Sequence, residues 1–282
     1  MQRSKGFQLK AKLIENKRVK GAYWQGILEA PLIAKQASPG QFVQIRLGDK
    51  HAPLLRRPFS IHKVNGPTFE ILYQVLGQGT EAFSRKKDGE YLDVIGPLGK
   101  GFELVSSRAN ILIVAGGIGV APLAFLAEKL TETQNPNSSA TRTIGTERSR
   151  GAKSQTPNKV LIGAETKGQI LCEKDFIDAG YSVKIATDDG SRGFKGYVSG
   201  LFRQELSTID YRPSTIYACG PKPLLKEVAA ISKGYNIPAQ LSLEEHMACG
   251  IGACLGCVVN TKEGFKRVCK EGPVFEADKI FW

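Results

Sequence analysis

The sequence has no feature that would place the protein in a membrane or send it across one. No apolar run reaches the roughly 20 residues that a membrane-spanning helix requires. The opening stretch, MQRSKGFQLKAK, lacks the apolar core of a secretory signal. We therefore expect a cytoplasmic protein that has no membrane partner.

Patterns typical of nucleic-acid-binding proteins are also missing, although the net charge is +12, from 39 basic and 27 acidic residues. There is no run of five like charges, no basic helix pattern and no interleaving of aromatic with basic residues. We interpret the charge as a solvated basic surface suited to an acidic partner, and we expect no nucleic-acid ligand. The charge alone keeps a nucleic-acid binder open as an alternative.

Histidine is scarce, and His51, His62 and His246 match no functional pattern, so we expect structural or surface roles for them. The six cysteines are not expected to form disulfides in a reducing cytosol. Cys172 and Cys219 stand alone, and Cys172 is expected to be an ordinary buried thiol. The other four cysteines cluster near the end of the chain, and this asymmetry indicates ligation rather than cross-linking.

The first third of the sequence is a series of short β-rich segments. Six of them lie between residues 7 and 97, separated by turn signals such as SPG, NGP and DG. One brief helix is predicted at 81–87, between the last two strands. This pattern predicts a six-stranded antiparallel β-barrel in a domain at 1–103.

The middle of the sequence alternates apolar runs with amphipathic stretches. ANILIVAGG, NKVLIGAE, YSVKIATDD, TIYACGP and AQLSLEE read as buried strands, and APLAFLAEKL and KPLLKEVAAISKG as helices. We expect a doubly wound α/β domain with a parallel sheet at 104–243. Residues 131–158 carry almost no large apolar side chain and are expected to be a polar inserted loop.

The clustered cysteines have the spacing C-x4-C-x2-C-x11-C, in a module expected at 244–282. Iron–sulfur clusters of the plant 2Fe–2S type use C-x4-C-x2-C and a distant fourth cysteine. Gly250, Gly252 and Gly256 would let the loop wrap the cluster and bring amide N–H groups to its sulfurs. Structural zinc is the alternative, but it normally pairs two C-x2-4-C knuckles. The predicted metal ligands are Cys249, Cys254, Cys257 and Cys269.

Two further motifs suit a dinucleotide in the barrel. RRPFS, residues 56–60, puts arginine at the head of a strand, where its planar fork fits a pyrophosphate. LYQVLGQGT, residues 72–80, leads through glycines into a helix whose first turn can receive an anion. A charged strand edge and an ordinary helix cap are the structural alternatives for the two motifs.

Glycine turns also end two strands of the α/β domain. VAGGIGVAPL, residues 114–123, and ACGP, residues 218–221, follow buried strands, and ligands of open α/β sheets bind beyond such strand ends. We expect both turns at one crevice that holds a nicotinamide dinucleotide. Asp188 and Asp189 favour a free ribose, whereas Arg192 and Lys195 favour a 2′-phosphate, so charge alone leaves NADH and NADPH open.

The order of these motifs resembles the ferredoxin reductase superfamily. The stretches EEHMACGIGACLGCVV and VCKEGPVF narrow the resemblance to the electron-transfer subunits of class B (NAD-linked) dihydroorotate dehydrogenases. The resemblance implies FAD in the barrel, a 2Fe–2S cluster on the four clustered cysteines, and NAD as substrate. It implies FAD contacts from Arg57, Pro58, Phe59, Ser60, Leu72, Tyr73, Gln74, Gly79 and Thr80, and NAD contacts from Gly116, Gly117, Gly119, Cys219, Gly220 and Pro221.

The resemblance also implies a partner and a place in metabolism. An FMN-containing catalytic subunit would oxidise dihydroorotate to orotate, in pyrimidine biosynthesis, within a heterotetramer of two plus two subunits. This chain would then carry electrons to NAD⁺ and contain no catalytic residue for dihydroorotate. The alternatives are a reductase component that feeds another ferredoxin-like, oxygenase or hydrogenase partner, and a zinc-stabilised interaction protein.

Overall fold

The predicted N-terminal strands form a closed barrel. The structure, a computed structural model, describes residues 6–48, 53–105, 109–134, 158–208 and 211–282. The barrel strands run in the order β1-β2-β5-β4-β3-β6, and all neighbours are antiparallel. Their bounds are β1 (Phe7–Lys20), β2 (Tyr23–Glu29), β3 (Phe42–Arg46), β4 (Arg57–Asn65), β5 (Thr68–Gln74) and β6 (Tyr91–Leu98). The prediction of a six-stranded antiparallel barrel is confirmed.

Alternating side chains fill the barrel, as the period of two along a strand requires. The rings of Phe59, Tyr73 and Phe83 meet at its centre, with Tyr73 stacked on Phe83 at 4.6 Å between centroids. Phe83 lies on α2 (Gln78–Ser84), which begins three residues before the predicted helix. It begins earlier because the Thr80 hydroxyl accepts N–H groups from the preceding turn. A short α1 (Pro31–Gln36) was not predicted.

The second domain is built on a parallel sheet in the order β10-β9-β8-β7-β11-β12. Its strands are β7 (Ile111–Gly116), β8 (Lys159–Ala164), β9 (Ser182–Thr187), β10 (Phe194–Lys195), β11 (Thr215–Cys219) and β12 (Ala239–Ser242). The helices are α3 (Val120–Gln134), α4 (Glu173–Asp178), α5 (Val198–Thr208) and α6 (Lys222–Gly234). Every residue of β7 and β11 is buried, because helices cover both faces. The strand order reverses between these two strands, which are parallel to each other, and the predicted fold class is confirmed.

The C-terminal segment returns to this sheet. A hairpin of β13 (Val258–Thr261) and β14 (Gly264–Arg267) follows the cysteine loop, and β15 (Val274–Glu276) then pairs antiparallel with β12. The predicted boundary at 243/244 stays a prediction, but the last strand is physically a seventh member of the neighbouring sheet.

The barrel and the sheet domain are joined by a buried polar contact. The His62 ring on β4 donates from Nδ1 to the carbonyl oxygen of Ala121 on α3, at 2.9 Å. Next to it, Lys63 forms an ion pair with Asp175 of α4. Cys172 lies within 4.8 Å of the ligand atoms of His62 and Asp175, and burial raises the pKa of its thiol. Cys172 and His62 therefore have structural roles here.

Some predicted features fall outside the described residues. His51 and residues 135–157 of the predicted polar insertion belong to this group, whereas 131–134 form the end of α3. None of the helices in the described ranges is both long and apolar enough to span a membrane.

Candidate functional site

Three of the four clustered cysteines lie on the loop between β12 and β13, and Cys269 lies on the turn after β14. Peptide N–H groups of Ala253 and Cys254 lie 3.3 and 3.4 Å from the sulfur of Cys249. The N–H of Cys269 lies 3.4 Å from the sulfur of Cys257, so the turn after the hairpin joins the loop. The thiols also interact in pairs, Cys249 with Cys254 and Cys257 with Cys269. The structure thus brings the cysteines together in two pairs, and a single set of four metal ligands stays a prediction.

The surroundings shift the pKa values of Cys249 and Cys269 in opposite directions. Burial alone would raise the pKa of Cys249, but the N–H groups of its own turn lower it to about 6. Burial and the neighbouring Cys257 sulfur raise the pKa of Cys269 to about 12. Iron–sulfur clusters are held by cysteine thiolates, whose sulfurs accept hydrogen bonds from N–H groups. The four cysteines and the N–H groups around them fit such a cluster.

The loop geometry requires glycine at two of the three expected positions. Gly250 and Gly252 have φ values of +68° and +84°, which strain any residue with a side chain. Gly256 has no such φ, and its N–H faces the sulfur of Cys254 at 3.5 Å. A Cβ at Gly250 would also lie 2.4 Å from side-chain atoms of Gln44, so the loop rests directly on β3 of the barrel.

The predicted flavin motifs meet where the barrel opens. Strands β4 and β5 pair from Ile61 and Ile71 onward, away from the two motifs. In the register of the described strands, residues 57–60 pair with β3 only, and residues 72–74 with β2 only. The facing main-chain groups of the two motifs are therefore free of ladder partners. Such a gap fits a flat heterocycle with polar edges, because the ring can use the donors and acceptors that the ladder leaves.

Side chains around this gap point in different directions. The rings of Phe59 and Tyr73 lie in the barrel core, so these residues offer only main-chain groups to a ligand. Ser60 and Pro58 face outward and are partly accessible. Leu72 packs into the core cluster shared with the sheet domain. The Thr80 hydroxyl is occupied in the turn that starts α2.

The two arginines of RRPFS contact different parts of the barrel domain. Arg56 is fixed to β6 by an ion pair to Asp93 at 2.9 Å and a hydrogen bond to its carbonyl oxygen. Arg57 lies against Gly79, where a Cβ would come within 2.8 Å of the guanidinium Nε. Glycine at that position lets the arginine approach the start of α2, and one terminal nitrogen of Arg57 also donates to the carbonyl oxygen of Leu55 at 2.7 Å. A phosphate contact from Arg57 stays a prediction.

The two glycine turns of the sheet domain form the floor of a cleft of about 610 Å³. A Cβ on Gly119 would lie 2.4 Å from the carbonyl oxygen of Cys219, so the turns touch through their main chains. Tyr23 and Gln74 of the barrel line the same cleft. The thiol of Cys219 is only 2% exposed, and burial raises its pKa. The predicted residues at the cleft are Gly116, Gly117, Gly119, Gly220 and Pro221.

Sequence reasoning missed several polar residues near these sites. Gln44 is fully buried on β3, and its amide oxygen has no hydrogen-bond partner in the described part of the chain. Its amide nitrogen contacts the sulfur of Met247 at 3.8 Å. Glu165 lines the nucleotide cleft, and Glu173 forms an ion pair with Arg192. None of the three belongs to a motif, so no local signal pointed to them.

Known proteins resemble this chain in its cysteine segment and in its overall fold. Residues 244–281 match the model of the iron–sulfur cluster binding domain of dihydroorotate dehydrogenase B. A solved NADH-dependent reduced ferredoxin-NADP oxidoreductase, described in a study of flavin-based electron bifurcation, superimposes with a TM-score of 0.80 at 26% identity, covering 96% of this chain and 90% of that one. A flavohemoglobin from Malassezia yamatoensis gives 0.62 at 18% identity, over 82% of this chain and 57% of that one, which shows the fold alone.

Two curated relatives match nearly the whole chain. The dihydroorotate dehydrogenase B (NAD(+)) electron transfer subunit of Desulforamulus reducens is 40% identical over 261 residues, 90% of each chain. The protein of the same name from Caldanaerobacter subterraneus subsp. tengcongensis is 36% identical over 280 residues, covering 98% of this chain and 99% of its own.

Fold and cysteine loop together define the class as a ferredoxin reductase-like oxidoreductase that carries an iron–sulfur domain. Within that class, the chain belongs to the family of dihydroorotate dehydrogenase B (NAD(+)) electron transfer subunits. The predicted family, the electron-transfer role and the iron–sulfur centre are confirmed. The family name, electron transfer subunit, implies a catalytic partner subunit.

Proposed function

We propose that this chain passes electrons between NAD(H) and a partner FMN subunit that oxidises dihydroorotate to orotate. The route inside the chain uses FAD on the barrel and a 2Fe–2S cluster on Cys249, Cys254, Cys257 and Cys269. The observation that carries the proposal is that the barrel face touches both other sites. Gln44 on β3 contacts the cysteine loop, while Gln74 on β5 lines the nucleotide cleft.

The FAD would be held at the opening between β4 and β5. The predicted contacts stay Arg57 for the pyrophosphate, residues 58–60 and 72–74 along the ring, and Gly79 and Thr80 at the start of α2. When bound, flavin supplies chemistry that accepts hydride from NADH and exchanges single electrons with an iron–sulfur cluster. The chain's own contribution is to hold the ring by main-chain groups and to exclude water with the packed core behind it.

The nicotinamide dinucleotide would lie in the cleft above the strand ends. The predicted contacts are residues 116, 117 and 119 in one turn and 219–221 in the other. Their close approach brings two sets of main-chain groups to one point where the strand order reverses, and ligands of such sheets bind there. NAD is the dinucleotide in the names of the curated relatives.

The partner subunit would dock beside the cysteine loop. Leu255 is 59% exposed and Phe265 76% exposed, and with Val258 they line a groove of about 590 Å³ next to Cys254. Lys266, Arg267 and Glu271 lie at the same groove, and Arg267 is paired with Glu271, so a mainly apolar surface with an acidic group opposite Lys266 would complement it. An FMN catalytic subunit, in a cytoplasmic assembly of two plus two, is the occupant that we propose.

The test compares the lone chain with the assembled pair. The subunit loaded with flavin and iron should reduce artificial dyes with NADH but form no orotate from dihydroorotate. Addition of the FMN subunit should couple dihydroorotate oxidation to NAD⁺ reduction. Iron, zinc and flavin analysis with a visible spectrum should find iron and flavin. Orotate formation by the lone chain, or zinc in place of iron, would refute the proposal.

A further inference from the structure

The charged side chains that line the nucleotide cleft are acidic. Among the described residues that line it, Glu165, Asp188, Glu227 and Glu244 are carboxylates, and none is lysine or arginine. A protein with a net charge of +12 would be expected to show basic residues at a site for a phosphate-bearing ligand. Because the cleft of this basic protein is lined by carboxylates, we infer that its lining discriminates between ligands of different charge.

Two of the carboxylates come from adjacent strand ends. Asp188 follows β9 and Glu165 follows β8, and main-chain hydrogen bonds of 3.1 and 3.2 Å join the two turns. Burial, Glu165 and Asp189 raise the pKa of Asp188, as expected where negative charges are crowded. Asp189 itself is turned away, because its carboxylate accepts the N–H of Ser191 at 2.9 Å. The pair at the cleft is therefore Glu165 with Asp188.

Arg192, in the same loop as Asp188, does not line the cleft. Both terminal nitrogens of Arg192 donate to the carboxylate of Glu173, at 2.8 and 2.7 Å. The main chain of Arg192 is also fixed, because its N–H and carbonyl both bond the Thr187 hydroxyl at 2.9 Å. The side chain of Lys195 packs over Gly190. Neither basic residue lines the cleft.

Carboxylates and arginines at this place in a dinucleotide fold have opposite effects. An acidic side chain accepts hydrogen bonds from a ribose 2′-hydroxyl, whereas an arginine accommodates a 2′-phosphate. We propose that Glu165 and Asp188 select NADH against NADPH, and that Glu173 reinforces the choice by holding Arg192 away from a 2′-phosphate. The inference rests on the proposed function, since it concerns the adenosine end of the same cleft.

Charge-removing variants test the selection. The variants are Glu165→Gln with Asp188→Asn, Glu173→Gln alone, and all three together, with Glu132→Gln as a control for the loss of one exposed, ion-paired carboxylate. One measurement is flavin reduction by NADH and by NADPH, expressed as kcat/KM. The other is calorimetric binding of AMP and of adenosine 2′,5′-bisphosphate to the cofactor-loaded protein, which needs no turnover.

We expect the wild-type protein and Glu132→Gln to prefer AMP and NADH. Each charge removal should shift the preference toward the 2′-phosphorylated ligand on the order of tenfold, because like charges at short range repel strongly where solvent is partly excluded. Glu173→Gln should act by releasing Arg192. Adding Arg192→Ala to the triple variant should therefore cancel the increase in preference for the 2′-phosphorylated ligand that Glu173→Gln contributes.

Two outcomes would overturn the inference while leaving the proposed function intact. One is a wild-type protein that is reduced by NADH and NADPH equally well. The other is a triple variant, with normal flavin content, whose preference between AMP and the bisphosphate is unchanged. A wild-type protein whose flavin accepts electrons from neither dinucleotide would instead refute the proposed function itself.

Discussion

Replacing Gly119 by alanine should separate the two glycine turns of the nucleotide cleft. The added Cβ would lie 2.4 Å from the carbonyl oxygen of Cys219 and 2.7 Å from the nitrogen of Gly220. Both neighbours are main-chain atoms of a strand end, so no side chain can rotate away. Ordinary contact begins near 3.4 Å, so one turn must move by about 1 Å, a displacement that costs reactive geometries roughly 100-fold.

The assay for this variant is stopped-flow reduction of the flavin by NADH. We expect kcat/KM to fall roughly 100-fold, for the geometric reason above, while flavin and iron contents stay normal because those sites lie elsewhere. Overpacking should also lower the free energy of unfolding by about 1–3 kcal/mol. The control is Gly234→Ala at the end of α6, where a Cβ meets nothing within 4 Å. A folded Gly119→Ala protein that is reduced at the wild-type rate would refute the contact between the turns as a determinant of NADH binding.

Three further predictions concern the cysteine loop and the joint between the domains. Cys254→Ser should lose cluster iron and coupling to the partner but keep NADH reduction of the flavin, and loss of that reduction in a folded variant would contradict the order of centres. Gly250→Ala should lower iron content and cost about 1–3 kcal/mol more than Gly264→Ala, since both have positive φ but only the former collides with Gln44; equal melting temperatures would argue against this packing. Burial lowers the pKa of His62 from 6.5, and the nearby Lys63 lowers it further, although the hydrogen bond to Ala121 and the carboxylates of Asp175 and Glu70 act in the opposite direction. Because the unfolded chain then binds more protons, the free energy of unfolding should fall below pH 6.5 by up to about 1.4 kcal/mol per pH unit. Urea titrations should show this slope in wild type and in His246→Gln but not in His62→Gln, and a slope that persists in His62→Gln would assign it to another group.

Local patterns in the sequence were enough for most of the strands and helices and for the prediction of the cysteine ligands. Alternation along residues 7–97 and the unbroken apolar run before Gly116 carry their own periodicity, and C-x4-C-x2-C is a contiguous signal. The predicted start of α2 was wrong because the Thr80 hydroxyl caps the helix only in one particular turn geometry. A glycine-rich sequence does not specify that geometry.

Contacts between distant segments were not predictable in the same way. Gln44 meets Met247 across 203 positions, and nothing at either position suggests the other. The charge at the nucleotide cleft stayed ambiguous in the sequence for a related reason. Arg192 stands close to Asp188 in sequence, yet its guanidinium is paired with Glu173, which lies on α4.

Pairing of β15 with β12 has a consequence for how the chain tolerates truncation. Residues between these strands leave the sheet and come back to it, so the cysteine-bearing segment is a closed excursion and not a detachable tail. A chain cut after residue 243 would expose the full hydrogen-bonding edge of β12 to solvent, and bare edges of this kind recruit other strands. The shortened protein should therefore self-associate, even though every residue of its nucleotide cleft up to Pro221 would still be present.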